Sequence, residues 1–316
     1  MSNKVLNVSI VGAGYMAEEY LKVLSDLPEY NVIGIFSRSI NKCKKLKKKY
    51  KSLIVFDSIQ NMQASSKSDL LIVTCSAEST RIVAEDVTKY PWTILFEKPI
   101  GLGIKEYEEI NKLCLERNCK AYVALNRRYY SSTEKLIEML GQIDSPRFIE
   151  INDQENIDAD VKKNRNSKVV ENWMFGNSIH LIDYIDLLCR GSLYEIKIMN
   201  SWNFDNPNLV SARLFFNSGD IADYKAIWNA PAPWGVRVFT KDKYFISQPI
   251  ENLSFIDKSS RQLINIDSEE VDKKYKPGLY RILQEMTKCL NGQLNKLVSV
   301  DENKNTMQYI NKIYEK

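Results

Sequence analysis

The chain has 316 residues, with 44 Lys+Arg against 40 Asp+Glu, a net charge of +4, one histidine and six cysteines. That near balance gives no support to nucleic acid or an anionic membrane as the main partner, and neither is expected, while 44% hydrophobic residues is the composition of a globular chain rather than a disordered one. At roughly 150 residues per domain, the length predicts two domains.

The lone histidine, His180, excludes any site that needs two imidazoles, such as an H-E-x-x-H zinc centre. Cys43, Cys75, Cys114, Cys119, Cys189 and Cys289 form no C-x-x-C pair. They read as reduced thiols, and no metal is expected. No apolar run approaches the roughly 18 residues needed to span a bilayer. Met1–Val5 leads straight into a strand-like run without the build of a secretion signal, so the expected location is the cytoplasm.

Six short apolar runs open the chain: Val5–Val11, Asn31–Phe36, Leu53–Phe56, Leu70–Cys75, Trp92–Phe96 and Ala121–Leu125. Amphipathic stretches separate most of them. In the first, Met16, Tyr20, Val23, Leu24 and Leu27 share one helical stripe. Continuous Val/Ile/Leu runs between helices predict a parallel sheet buried on both faces, hence an α/β, doubly wound Rossmann domain over 1–124.

After Asn126 the pattern changes. Ser131–Glu134 offers a capping box to a short helix ending at Gly141. A strand over Pro146–Asn152 follows, then a polar stretch, Asp153–Asn172, that reads as a long loop. Asn177–Cys189 reads as helix. From Leu193 to Ile266 the period is two: Val210, Ala212, Leu214 and Phe216 share one face, as do Ala222, Tyr224, Ala226 and Trp228. Strands without intervening helices predict an antiparallel sheet in a second domain over 125–316. Helices over Leu279–Leu290 and Glu302–Tyr314 close the chain.

The first strand turns into the first helix through Gly12-Ala13-Gly14-Tyr15-Met16-Ala17, a G-x-G-x-x-A turn. Gly12 permits the tight turn, Gly14 lets the backbone approach a pyrophosphate, and Ala17 keeps helix and sheet close. The N–H groups at the helix start, from Tyr15 and Met16 on, then face the phosphates. The second strand ends at Ser37-Arg38-Ser39, where an NAD enzyme usually places an acid for the ribose 2′-OH. Arg38 and the serines suit a 2′-phosphate better, so NADP is favoured and NAD remains open. The lysine-rich run Lys42–Lys51 reads as the solvated face of a helix.

Ligands of doubly wound sheets bind beyond the carboxyl ends of the strands. Gly12, Ser37, Arg38, Cys75, Ser76, Glu97, Lys98, Asn126 and Arg127 all fall there. Lys98, directly after a buried run and stiffened by Pro99, is placed to stabilise charge developing on a substrate oxygen. His180, with Asp183 three residues on to orient its ring, is the acid–base candidate of the second domain. Tyr15, Trp173, Tyr184 and Trp234 are candidates to stack on a ring-bearing substrate.

Together, Val11–Ala17, Phe96-Glu97-Lys98-Pro99-Ile100-Gly101, Asn126-Arg127-Arg128-Tyr129 and His180-Leu181-Ile182-Asp183 resemble the Gfo/Idh/MocA oxidoreductases, the relatives of glucose-fructose oxidoreductase and inositol dehydrogenase. The resemblance implies a Rossmann domain, then an α/β domain whose large, open, mostly antiparallel sheet commonly mediates homo-oligomerisation. It implies NAD(P)-dependent hydride transfer to or from a sugar, polyol or sugar derivative. Lys98 matches the lysine that contacts nicotinamide and substrate, and His180 the acid–base histidine. Asn126 and Arg127 occupy a segment that often lines the substrate cleft, and Asn177 and Tyr184 stand beside His180 as further substrate-binding candidates.

Two positions depart from the family pattern. Gly176 stands where an acid is common, and Thr80 where a histidine is common. The first weakens the expected proton relay. It also motivates a second reading, a dinucleotide-binding sensor or scaffold without catalysis. Glycoside cleavage by transient oxidation is a third, which no residue selects.

Overall fold

The computed structural model describes residues 5–316, without the side chains of residues 159 and 160. The expectation for Met1–Lys4 lies outside the described residues. The chain divides into two compact units. The first runs to Asn126 and takes in Lys274–Asn303; the second holds Arg127–Lys273 and Lys304–Lys316.

The first unit alternates β1 (Leu6–Val11), α1 (Tyr15–Ser25), β2 (Tyr30–Phe36), α2 (Ile40–Lys49), β3 (Ile54–Val55), α3 (Ile59–Ser66), β4 (Leu70–Val73), α4 (Ala77–Val87), β5 (Thr93–Phe96), α5 (Ile104–Glu116) and β6 (Ala121–Val123). These six strands pair in parallel in the order β6-β5-β4-β1-β2-β3. The order reverses at β1, which opens a crevice beyond the carboxyl ends of the strands. Val8, Ile10, Leu70–Val73 and Ile94–Phe96 are buried because helices cover both faces. Burial of each such side chain contributes about 1.5–3 kcal/mol against solvent. In α2 only Cys43 and Leu46 are buried, and the lysines between them face out.

The second unit holds α6 (Ser131–Leu140), β7 (Phe148–Glu155), α7 (Ala159–Asn164), α8 (Ser167–Glu171), α9 (Trp173–Gly176), α10 (Ile179–Leu188), then β8 (Leu193–Asn200), β9 (Leu209–Phe216), β10 (Ile221–Trp228), β11 (Gly235–Phe239), β12 (Lys243–Ser247), β13 (Leu253–Asp257) and β14 (Leu263–Ile266). The eight strands run in the order β14-β13-β12-β11-β7-β10-β9-β8, antiparallel except for the pair β7–β10. The α/β class and mostly antiparallel second sheet are as the sequence predicts. The period-2 residues of β9 and β10 face inward and are buried.

After α11 (Glu270–Lys274) come α12 (Leu279–Leu290), β15 (Val298–Ser299) and α13 (Lys304–Ile313). Here the chain departs from a single cut at 124/125. Strand β15 pairs antiparallel with β6, and α12 packs beside α1, so 274–303 completes the first unit.

Three local expectations are corrected. The polar stretch after Asn152 is not a loop: β7 continues through Glu155, and residues 159–171 form two short helices. The helix expected from Asn177 starts at Ile179, after the separate turn α9. The capping box does not form. Tyr130 caps α6, while Ser131 N–H donates to Asp272 and its hydroxyl accepts from Glu269 N–H.

Candidate active-site residues

In the first unit, Gly12 follows β1 with φ +111°, a conformation that favours glycine. A Cβ there would stand 2.5–2.7 Å from Thr74 atoms, because Thr74 N–H donates to Val11 C=O at 2.7 Å and draws the β4 end against the turn. Gly14 caps α1 at its start without a side-chain hydrogen bond, and nothing lies within 4 Å of where its Cβ would be. A tight turn, an open space and the start of an eleven-residue helix together fit a dinucleotide pyrophosphate. Tyr15 is exposed with the Lys276 ammonium over its ring, Met16 is half-buried, and Ala17 is fully buried against the sheet.

At the β2 end, Arg38 Nη2 donates to Ser79 Oγ at 2.6 Å, and Ser79 lies 3.1 Å from Ser76 Oγ. The structure thus brings Arg38 and Ser76 together through a serine of α4. Ser37 is half-buried beside them. Cys75 Sγ sits 3.7 Å from Thr80 Oγ1, and burial pushes its thiol pKa up, against hydrogen bonding and the Arg38 charge. At the β5 end, Glu97 accepts from Tyr20 Oη at 2.8 Å. Burial raises its pKa above the ordinary carboxylate range, opposed by Tyr20 and by the charges of Lys98 and Lys276. Lys98 is half-buried and joined to Pro99 by a cis peptide. Asn126 is buried and donates to Pro277 C=O at 3.0 Å, a contact internal to this unit.

In the second unit, His180 is buried in the first turn of α10, its N–H donating to Asn177 C=O at 3.2 Å. Asp183 does not serve as its orienting acid. Both Asp183 oxygens accept from Arg128 at 2.7 Å, and Oδ1 also accepts from Thr306. Tyr184 is a core residue, 2% exposed, with its hydroxyl 2.6 Å from Thr133 Oγ1 and donating to Arg127 C=O. The Arg127 guanidinium stacks 3.8 Å from the Trp234 ring centre, and burial lowers its pKa from the ordinary arginine value.

Below these lie two carboxyls on one face of β7, at positions i and i+2. Asp153 accepts from Tyr224 Oη at 2.8 Å and from Trp234 Nε1 at 3.0 Å. Glu155 Oε2 accepts from Trp173 Nε1 at 2.8 Å, with the Asn177 amide 3.4 Å away. A hydroxyl chain runs from Asp153 through Tyr224 to Tyr314 (3.0 Å) and Ser178 (3.4 Å). Burial, then the neighbouring Asp153 charge, pushes Glu155 up to about 8, against the donors Trp173 and Asn177 and the Arg127 charge. Asp153 is likewise raised by burial.

Residues 6–125 match the family model described as "Oxidoreductase family, NAD-binding Rossmann fold". Over this segment, less than half of the chain, the protein is similar to the Gfo/Idh/MocA oxidoreductases. It is similar to the scyllo-inositol 2-dehydrogenase (NADP(+)) IolU of Bacillus subtilis, at 20% identity over 143 residues, 45% of this chain. The match spans 44% of that relative's length. The fold is similar along nearly the whole chain to UDP-N-acetylglucosamine 3-dehydrogenase GnnA from Acidithiobacillus ferrooxidans (TM-score 0.79, 14% identity, 98% of this chain and 97% of that one). It is also similar to the WlbA dehydrogenase from Bordetella pertussis, solved with NADH and UDP-GlcNAcA (TM-score 0.76, 12% identity, 100% and 96%).

As site residues, Ser79, Thr74, Tyr20, Asp153 and Glu155 are not marked by any motif in the sequence. Ser79 lies a full turn into α4, where no motif points to it. Asp153 and Glu155 fall in a run of polar residues with no apolar alternation to mark them as strand.

Proposed function

We propose that the chain is an NADP-preferring oxidoreductase that interconverts a hydroxyl and a carbonyl on a sugar, polyol or sugar nucleotide, with Lys98 and His180 handling the proton. The observation that carries this reading is the Gly12–Gly14 turn between β1 and α1, inside the segment matched by an NAD-binding oxidoreductase family. When bound, the nicotinamide supplies the hydride acceptor or donor. Gly12, Gly14 and the first turn of α1 hold the pyrophosphate. Arg38, with Ser37, Ser76 and Ser79 around it, receives the 2′-phosphate, and no acid stands at the β2 end to select NAD. The NADP dependence in IolU's name supports the same preference, while the NADH in the WlbA structure keeps NAD in play.

Lys98, at the end of a buried strand, donates to the substrate oxygen as charge develops there. His180, in the first turn of α10, is the acid–base group of the second unit. Arg127, Asn177 and, from the first unit, Asn126 contribute polar contacts to substrate. Cytoplasmic location and absence of nucleic-acid or membrane partners go with this reading; no described helix is long and apolar enough to cross a membrane. A homo-oligomer through the open face of the second sheet is supported by Tyr194 and Met199, 66% and 67% exposed on β8.

The test is fluorescence titration with NADPH and NADH, followed by a turnover screen of scyllo-inositol, UDP-N-acetylglucosamine and related sugars and sugar nucleotides. NADPH is expected to bind more tightly than NADH. Lys98→Ala is expected to lose about 10³-fold or more in kcat with dinucleotide affinity nearly unchanged. Full activity in that variant removes the mechanism. Binding without redox change across the whole panel makes the chain a sensor instead.

A further inference from the structure

The buried face of β7 gathers one cation and two carboxyls: Arg127, Asp153 and Glu155. Asp153 Oδ1 accepts from the Trp234 indole and Oδ2 from the Tyr224 hydroxyl, donors that favour its ionised form against the burial that raises its pKa. The Trp173 indole and the Asn177 amide both meet Glu155 at a single oxygen, Oε2. Its total exposure is only 6%. Two adjacent buried carboxylates repel each other, and one guanidinium balances only one of them. A single proton on the partner with one oxygen left without a donor, Glu155, makes the set neutral.

Glu155 also has the right neighbours. Trp173 and Asn177, which contact its carboxyl, flank Gly176 and lead directly into the first turn of α10. Asn177 C=O accepts the His180 N–H. Beyond its chain neighbours and its own helix backbone, no described atom lies within 4 Å of where a Gly176 side chain would start. The helix lacks a carboxyl of its own at this point, and the strand beneath supplies one. The charged and titratable groups around Glu155 are Asp153 on its own strand, Arg127 at the start of the unit, Tyr224 on β10 and Tyr314 after α13.

We propose that Glu155 is a proton-holding residue of this site, keeping an exchangeable proton at neutral pH beside the turn that carries His180. The inference rests on the oxidoreductase reading for its direction of use. While Glu155 holds its proton, the set of Arg127, Asp153 and Glu155 is neutral beneath the turn that carries His180, and loss of that proton adds a negative charge there. Glu155 acts with His180 and is a positioning residue with respect to it.

The first test needs no substrate. Urea unfolding of the wild-type chain and of Glu155→Gln is followed from pH 5 to pH 9. A carboxyl whose folded pKa is raised binds its proton more tightly in the folded state, so its stabilisation is present below the unfolded value, about 4.3, and is lost as pH rises toward about 8. The wild type is therefore expected to lose stability relative to Glu155→Gln across that window; parallel curves overturn the proposal even if the enzyme turns over sugars. The second test uses whichever sugar or sugar nucleotide the wild type oxidises. Its kcat profile is expected to show an ionisation near pH 8 that disappears in Glu155→Gln and persists, displaced, in Glu155→Asp, with KM changing less than about threefold. Retention of that ionisation in Glu155→Gln overturns the proposal. A chain that turns over nothing, yet shows the pH-linked stability difference, sinks the oxidoreductase reading and leaves the buried proton standing.

Discussion

Two glycines in one turn have different physical reasons, and substitution separates them. Gly12 carries φ +111° and a clash of 2.5–2.7 Å with Thr74 for any Cβ. Gly14 has φ −92° and open space. Gly12→Ala is therefore expected to destabilise the folded chain by about 1–3 kcal/mol, seen as a lower midpoint in thermal or urea unfolding. Gly14→Ala is expected to leave stability within about 0.5 kcal/mol while weakening NADPH binding about tenfold or more, because the methyl group takes the space a pyrophosphate needs. Equal stability loss in the two variants would mean that Gly14, like Gly12, serves the turn and not a ligand. At this scale the sequence was informative where a motif fixes spacing, as at Gly12, Gly14 and Ala17. It was silent on Ser79 and Glu155, whose placement depends on which strand end or helix turn lies opposite.

Elements show why α10 holds its place. Arg128 forks onto Asp183 at 2.7 Å through two nitrogens and reaches Asp186 at 3.0 Å, and Asp183 also accepts from Thr306 on α13. Sequence spacing alone predicts Asp183 as the partner of His180 three residues back; the fold gives it to an arginine 55 positions away. Removing Arg128 leaves a buried carboxylate without its counter-charge. Arg128→Leu is expected to cost about 3–5 kcal/mol in urea unfolding, and the double variant Arg128→Leu with Asp183→Leu distinctly less than the sum of the singles. Additive losses would show that the pair is not coupled. The same scale explains what hydropathy missed in β7. The run Asn152-Asp153-Gln154-Glu155 has no apolar member, so period-2 reading stops at Asn152. Pairing overrides composition: Asp153 lies opposite Ala226 and Glu155 opposite Trp228 on β10, a strand whose own alternation is clear. The six parallel strands of the first unit were legible because burial on both faces demands long apolar runs, and those are hard to mistake. The two-residue strand β15 was not, since Val298 and Ser299 are too short a run to carry a period.

For the whole molecule, the return of 274–303 decides where the first unit ends. Tyr30 Oη donates to Leu283 C=O, and Tyr107 Oη donates to Val300 C=O, each at 2.8 Å. Leu279, Ile282, Leu283 and Met286 of α12 are fully buried. β15 covers the edge of β6, which would otherwise present unpaired backbone groups. A chain cut after residue 126 therefore keeps all six parallel strands and the glycine turn but loses one helix, one edge and the acceptors of two buried tyrosines. Each such orphaned group costs about 1–3 kcal/mol, and a unit stable by about 5–15 kcal/mol has little to spare. Residues 1–126 alone are expected to be aggregated or partly unfolded, with little NADPH binding. The same residues joined by a short Gly/Ser linker to 274–303 are expected to unfold cooperatively and to bind NADPH with near full-length affinity. Circular dichroism melts and fluorescence titration of the two pieces decide the matter. A stable, NADPH-binding fragment 1–126 would show that the returning segment is an accessory to the dinucleotide unit, and that the sequence cut at 124/125 is the physical one after all.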